Sequence, residues 1–363
     1  MKACLLPLVV MAVLVCGCDL QTAKAPSGEG PSGQNGGEEN IDPGEKAAAA
    51  QLTPAKDPVS EEIYAAKLKT RQAYNNRRFD ELEQEVAELR AIKEVFGNGS
   101  WKIVQFYEAL GCSDDEPASM WQLHDRIHQE WIEARPESIA ARVAYAEFLT
   151  DYAWLARGTE FASGVKEEGW KLFHERLAQS RQILEEARGL EQKDPYWWMT
   201  ALTVALGQNW AAAQVEVLLA EARAFEPKFW GYDVSRAYSL LPRWHGEPGD
   251  WEKFAAAASA RPEGLGSETY ARIVIRLRGF YANVFRESAA KWPQTREGLT
   301  ILLQKYPDSL GLLSEAAMLA TMAEDRALAK ELFDRIGDRY LPSTWRKPER
   351  FTHFRNWAAT GRW

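Results

Sequence analysis

Three things are scarce in this chain of 363 residues: cysteine beyond the first eighteen positions, a surplus of positive charge, and long apolar runs after the amino terminus. Of four cysteines, Cys4, Cys16 and Cys18 crowd the start, and only Cys112 lies in the body. A lone thiol closes no intrachain disulfide, so packing alone must hold the body together. Cys112 ends an apolar segment with no histidine or cation beside it, which reads as a buried small hydrophobe rather than a reactive thiol. Lysine and arginine number 44 against 52 acids, a formal charge of -8. Without a basic stripe to neutralise phosphates, no nucleic-acid partner is expected. No run of about 18 apolar residues follows residue 18, so no helix there is expected to span a bilayer. Catalytic signatures are missing too. There is no G-x-S-x-G elbow, phosphate-cradling glycine loop, HExxH or CxxC, so neither an enzyme class nor a cofactor is indicated.

What is present begins with an address. Met1-Lys2 gives a short positive start, and residues 3 to 15 are an apolar run of signal-peptide length. It ends in Val15-Cys16-Gly17-Cys18-Asp19, which resembles the bacterial lipobox with Cys18 as the acylated residue. Cys16 is the weaker candidate, because Val15 before it is bulkier than glycine. Several acyl chains on one cysteine exceed what stable anchoring needs, at about 0.8 kcal/mol per buried CH₂. The expectation is an exported protein, lipid-anchored to a bacterial membrane, with its body in the periplasm or at the cell surface. Asp19 is a weak hint of inner-membrane retention, and the choice of membrane stays open. Residues 19 to 57 are rich in Gly, Pro, Ser and acids, with few large apolar groups to offset ordering entropy. They are expected to form a disordered tether with a reach of about 35 Å, from roughly 5.5 Å times the square root of its length.

From Ser60, a plausible N-cap, the pattern is helical throughout. One helix carries Ile63, Leu68 and Tyr74 to a break at Asn75-Asn76, and a second runs from Phe79 through Val95. No alternating β-branched run with hairpin signals occurs, so the class is all-α. Later, prolines at 136, 195, 227, 262, 307 and 342 are spaced 59, 32, 35, 45 and 35 residues apart, three of the five near the 34 of tetratricopeptide units. Between them the chain reads helix, turn, helix, as at Gly207-Gln208-Asn209 and Glu324-Asp325. The expected architecture is a tetratricopeptide-like α-helical solenoid. Residues 58–135 form N-terminal hairpins, 136–342 form the repeats, and 343–363 form an aromatic and basic tail. Each pair of helices would hide its apolar face only against the next.

The segments Tyr152-Ala153-Trp154-Leu155-Ala156-Arg157-Gly158, Gly169-Trp170-Lys171-Leu172-Phe173 and Leu241-Pro242-Arg243-Trp244-His245-Gly246-Glu247-Pro248-Gly249-Asp250-Trp251 resemble a bacterial family described only as domain of unknown function 4034. The resemblance covers about residues 60 to 342. It implies an exported helical-repeat protein of undetermined role and transfers no catalytic residues.

Candidate site residues are of four kinds. His124 and His128 share a helix face one turn apart, the minimum seed of a zinc site. A third ligand is missing, and solvated or capping histidines are the plainer reading. Asp151, Trp154 and Arg157 follow Glu147 at helical spacing. They read either as part of a surface gripping a carboxylate or peptide terminus, or as a helix end where Arg157 binds carbonyls before Gly158. Fifteen tryptophans suggest either core filling or a glycan platform. The loop with Trp244 and His245 at its tip reads as a chain-redirecting corner or a contact. The leading function is a non-enzymatic protein- or peptide-binding scaffold, using the inner face of the curve through Arg142, Tyr152, Arg157 and Arg236. Its alternatives are a glycan-binding receptor and a metal-dependent hydrolase built on the histidines.

Overall fold

The structure, a computed structural model, describes residues 43–159 and 162–363. Cys18, the expected signal peptide and most of the expected tether lie outside the described residues. Among the described residues the protein is all-α, with eighteen α-helices and only isolated bridges, Pro54 with Tyr340 and Val95 with Trp101. No helix among them is long and apolar enough to cross a membrane.

Local chemistry fixes the helix ends. Helix α1 spans Pro43–Ala49 and α2 spans Pro58–Asn75. Asp57, not Ser60, caps α2, accepting from the Ser60 backbone N–H and hydroxyl, with Pro58 in the first turn. A carboxylate suits the positive end of the helix and proline loses no bond there, so the start moves upstream of the serine. Helix α3 (Phe79–Ile92) stops at Lys93, whose φ of 57° is left-handed, and Val95 leaves the helix to pair with Trp101. Helices α4 (Lys102–Glu108) and α5 (Ala118–Ala134) complete the N-terminal part.

The proline spacing corresponds to real pairs. The five intervals hold, in turn, α6 (Ile139–Arg157) with α7 (Glu167–Arg188), α8 (Pro195–Gly207) with α9 (Ala212–Phe225), α10 (Gly231–Ser239) with α11 (Asp250–Ser259), α12 (Ser267–Leu277) with α14 (Trp292–Lys305), and α15 (Leu310–Met322) with α16 (Arg326–Ile336). The 45-residue interval is lengthened by the short helix α13 (Val284–Glu287). Pro195 and Pro342 open α8 and α17 (Pro342–Trp345), as proline does at a first turn. Each first helix packs on its own partner, and α6, α8, α10 and α12 pack on one another in a row, while α15 joins through α14 and α7, α9 and α11 hardly touch one another. Helix α8 is buried from Pro195 through Leu206, and its sequence PYWWMTALTVALG is accordingly apolar all round.

The free side of that row is not open. Residues 93–110 lie over it. Tyr107 stacks on Tyr196 at 4.6 Å and donates to Asp194 Oδ2 at 2.6 Å. Trp101 meets Phe229 at 5.0 Å, and Trp230 Nε1 donates to the Gly99 carbonyl at 3.0 Å. Gly99, at φ +76°, sits so close to Arg272 and Tyr306 that a Cβ would collide with both. Lys93 pairs with Glu226 at 2.5 Å.

The ends of the described chain also meet. Helix α1 packs on α18 (Pro348–Thr360), where Glu45 is 3.0 Å from His353 Nδ1 and accepts from Asn356 at 2.9 Å. Ala49 is wholly buried, and the Ala55 N–H donates to the Tyr340 carbonyl at 2.7 Å. Two expected boundaries therefore move. Residues 43–57 belong to the folded body, because the alanine-rich stretch forms a helix that finds an apolar seat. Residues 343–363 are no tail: Trp345 and Phe351 are completely buried and Trp357 nearly so.

Candidate functional site

The carboxyl ends of the first helices form one edge, and four residues singled out in sequence come together there. Ser138 caps α6 by accepting from the Ala141 N–H, and the helix runs nineteen residues to Gly158. Its last turn presents Trp154 and Arg157 on one face. Trp170 arrives from the first turn of α7, packed edge-on to Phe173 at 5.7 Å, while Trp154 meets the same Phe173 at 4.9 Å. Trp244 comes from the loop after α10 and meets Trp154 edge-on at 5.5 Å. Two glycines permit this. A side chain at Gly207 would press on Leu177, Phe173 and Trp154. One at Gly246 would collide with the Leu240 carbonyl, so the loop closes tightly only with glycine there. His245 Nε2, 3.1 Å from the Leu206 carbonyl, ties the same loop to α8.

The Arg157 guanidinium lies 5.6, 5.7 and 5.5 Å from the ring centres of Trp154, Trp170 and Trp244. Its Nη1 also donates to the Gly158 carbonyl at 3.0 Å, so the helix-end role and the stacking role coexist. Arg243, exposed, stands 5.1 Å from the Trp244 ring and 5.6 Å from Phe280. Arg276 reaches the ring of Tyr238 at 5.9 Å, and Tyr238 in turn meets Trp244 at 5.9 Å. Burial, then the neighbouring charge of Arg243, draws the Arg157 pKa below its ordinary value. The indole N–H groups of Trp154 and Trp244 are buried with no hydrogen-bond acceptor. The site is thus rich in donors and cations and walled by aromatic faces. Such a surface can take an anion, held by the Arg157 and Arg243 guanidinium groups against the aromatic faces.

Other sequence candidates lie elsewhere. Arg142 is fifteen residues before Arg157 on the same helix, about 22 Å away at 1.5 Å per residue, and donates to the Ser138 carbonyl at 3.1 Å. Arg236 is buried and bound to Glu216 Oε1 at 2.8 Å. Tyr152 faces α5, stacked on Trp121 at 4.7 Å with the Arg176 guanidinium 3.2 Å over its ring. The expected groove of Arg142, Tyr152, Arg157 and Arg236 is therefore not assembled, and the inner face that would hold it is covered by residues 93–110. Asp151 lies half-buried beside Gly111, and burial and then the Glu147 charge hold its carboxyl well above the usual range. Sequence reasoning missed Trp170, Arg243, Tyr238, Arg276 and Phe280 as site residues. Trp170 and Arg243 do fall within the segments 169–173 and 241–251 noted for family resemblance, and those segments meet segment 152–158 here.

The histidines are neither solvated nor capping: His124 is 4% exposed and His128 is 0%. They are interior because the Arg71 guanidinium, 53 residues away in sequence, lies 3.4 and 3.3 Å from the two ring nitrogens of His124 and binds the Gly111 carbonyl. Tyr74 and Phe148 each stand 5.0 Å from His128. A guanidinium thus occupies the space beside the pair that a metal would need, and no group of three metal-ligating side chains occurs among the described residues. Burial, then the Arg71 charge, draws the His124 pKa down to about 4, and His128 is held well below its ordinary value by burial and then His124. Cys112 is half-buried, and burial pushes its thiol up to about 11, away from reactivity.

No family model, no curated protein and no solved structure matches the chain.

Proposed function

We propose that this chain is a non-enzymatic scaffold of the bacterial envelope, anchored through lipid on Cys18. In this reading it recognises a carboxylate of a protein or peptide partner at the edge formed by Trp154, Arg157, Trp170, Arg243 and Trp244. The observation that carries the ligand reading is the pair of cations, half-buried Arg157 and exposed Arg243, set against the faces of Trp154, Trp170 and Trp244. A tetratricopeptide-like solenoid is supported by the five helix pairs and by the row of first helices. The likeness of segments 152–158, 169–173 and 241–251 to the domain of unknown function 4034 accords with an exported helical-repeat protein. The working surface in this reading is the edge of the row rather than its inner face. Nothing in the exposure pattern favours a glycan platform: Trp363 is the only exposed tryptophan among the described residues.

Two experiments test this. A pool of eight-residue peptides with free carboxyl termini is passed over immobilised protein alongside the same pool amidated. The free acids should be retained about tenfold better, the scale of a charge-assisted bond. Arg243→Gln should abolish the preference, and equal retention of the two pools would sink the carboxylate reading. Separately, labelled palmitate should enter the wild type and not Cys18→Ser, which should leave the membrane fraction.

A further inference from the structure

Residues 343–363 stand out in the sequence as basic and aromatic, and the proposed site makes no use of them. They hold five bases, Arg346, Lys347, Arg350, Arg355 and Arg362, against one acid, Glu349. The rest of the chain holds 39 bases against 51 acids, so positive charge is concentrated around α18 in a molecule that is otherwise acidic. Arg355 is paired with Asp338 at 2.7 Å, and the Arg350 guanidinium lies 5.3 Å from the Phe354 ring. Arg346, Lys347 and Arg362 are exposed. A local excess of one sign attracts the other, and its range in salt is about a Debye length, roughly 8 Å.

Trp363 belongs to the same region. It stacks on Trp357 with ring centres 4.8 Å apart and meets Phe354 at 5.8 Å and His353 at 5.6 Å, yet it is 62% exposed. An indole seated on protein at one face and open at the other suits the boundary between headgroups and acyl chains. The path of the chain decides what meets this face. His353 Nδ1, beside Trp363, is 3.0 Å from Glu45, and α1 packs on α18. The body therefore starts next to Trp363, and residues 19–42, whatever their conformation, join this point to Cys18. An anchor at Cys18 pulls on the body here, at its most basic part, and confinement near a surface makes a weak attraction effective.

We propose that the region of α18 around Arg346, Lys347, Arg362 and Trp363 docks on an anionic phospholipid surface, with the cations on headgroup phosphates and the Trp363 indole at the acyl boundary. Its placement rests on the reading of Cys18 as lipidated; its chemistry does not, and the test leaves the lipid out. A chain of residues 19–363 keeps every described helix and lacks Cys18, so its outcome is separate from that of palmitate labelling. It is sedimented with vesicles of phosphatidylcholine alone or with about one part in three phosphatidylglycerol. It should bind the anionic vesicles and be released as salt rises to about 0.5 M. Arg346→Glu with Arg362→Glu should weaken binding about tenfold or more, on a scale of about fivefold per basic residue at such a surface. Arg126→Glu with Lys228→Glu, the same charge change at exposed positions elsewhere, should have no effect. Trp363→Ser should weaken binding about fivefold, the scale of partly burying an indole. Thermal melts confirm folding, and Arg362→Glu alone decides if the double variant is not folded. Equal binding to both kinds of vesicle, or equal loss from the two reversed pairs, would overturn the proposal. So would binding by residues 43–363 but not by 19–363, because residues 19–42, with five acids against Lys24, would then cover the face themselves.

Discussion

Two imidazoles sealed against Arg71 determine part of how the protein responds to acid. Because His124 and His128 have pKa values below the ordinary 6.5, the unfolded chain takes up protons as pH falls below about 6.5 while the native state does not. Their contribution is intact above that pH and is lost on acidification, down to about 4 at His124 and lower still at His128. The loss runs at up to about 1.4 kcal/mol per pH unit for each histidine. Glu147 acts in the opposite direction. Burial raises its carboxyl to about 7, though it accepts from Thr200 at 2.6 Å and Tyr196 at 3.1 Å. Its native pKa lies above its unfolded one, so stability is complete at low pH and is lost as pH rises through about 7. The two effects overlap between roughly pH 4.5 and 6.5, where only differences between variants resolve them. His128→Phe should gain stability over the wild type progressively from pH 6.5 to 4 in urea titrations; a gain independent of pH would refute neutral burial. Glu147→Gln keeps an acceptor and should gain on the wild type as pH rises from 5 to 8. The i, i+4 spacing of the histidines was legible in the sequence. Their surroundings were not, because Arg71 and Tyr74 approach from a helix about fifty residues earlier.

Helix pairs were the most legible level, since proline punctuation and a 3.6-residue apolar period report local forces. The loop between α10 and α11 shows where local reading ends. Its composition announced a corner, while its role depends on Trp244 reaching Trp154, ninety residues back, and on His245 holding α8. Gly246→Ala would drive a methyl into the Leu240 carbonyl and shift the whole turn. The expected cost is about 1–3 kcal/mol, the range for forced overpacking. Carboxylate-peptide retention should fall along with it, because Arg243 and Trp244 ride on that turn. A stability loss with retention unchanged would mean that the loop does not position the site. The edge of the folded body was misjudged for a related reason. Residues 43–57 are too poor in large apolar groups to signal a core, yet they are held by partners on α18 and at Tyr340, three hundred residues distant. A chain without residues 1–42 serves as the reference for the loss of 43–57. Removal of 1–57 should lower stability by about 2 kcal/mol, for Ala49 and the partly covered Leu52 and Ala55.

At the scale of the molecule, no periodicity or motif announced that the chain would cover its own row of helices. A repeat array whose units contact only their neighbours unfolds in stages. Here residues 93–110 bridge α8, α10, α12 and α14 through Tyr107, Trp101, Gly99 and the Arg272 and Tyr306 that crowd it. Bridges of that span couple units that would otherwise melt separately, so the described body should unfold in one transition, with calorimetric and van't Hoff enthalpies equal. Trp101, 8% exposed against Phe229, is the bridge side chain whose loss tests this most directly. Trp101→Ala should cost about 3–5 kcal/mol, as for a large aromatic removed from a core. It should also split the transition, because Tyr74 and Trp131 belong to one apolar cluster and Trp251, Leu319 and Trp345 to another, and Gly99, which Trp101 helps to seat, reaches Arg272 and Tyr306 across them. Calorimetry of the two proteins decides the matter. A single broadened peak in the wild type, or an unsplit one in Trp101→Ala at full cost, would show that the row holds together without the segment laid across it.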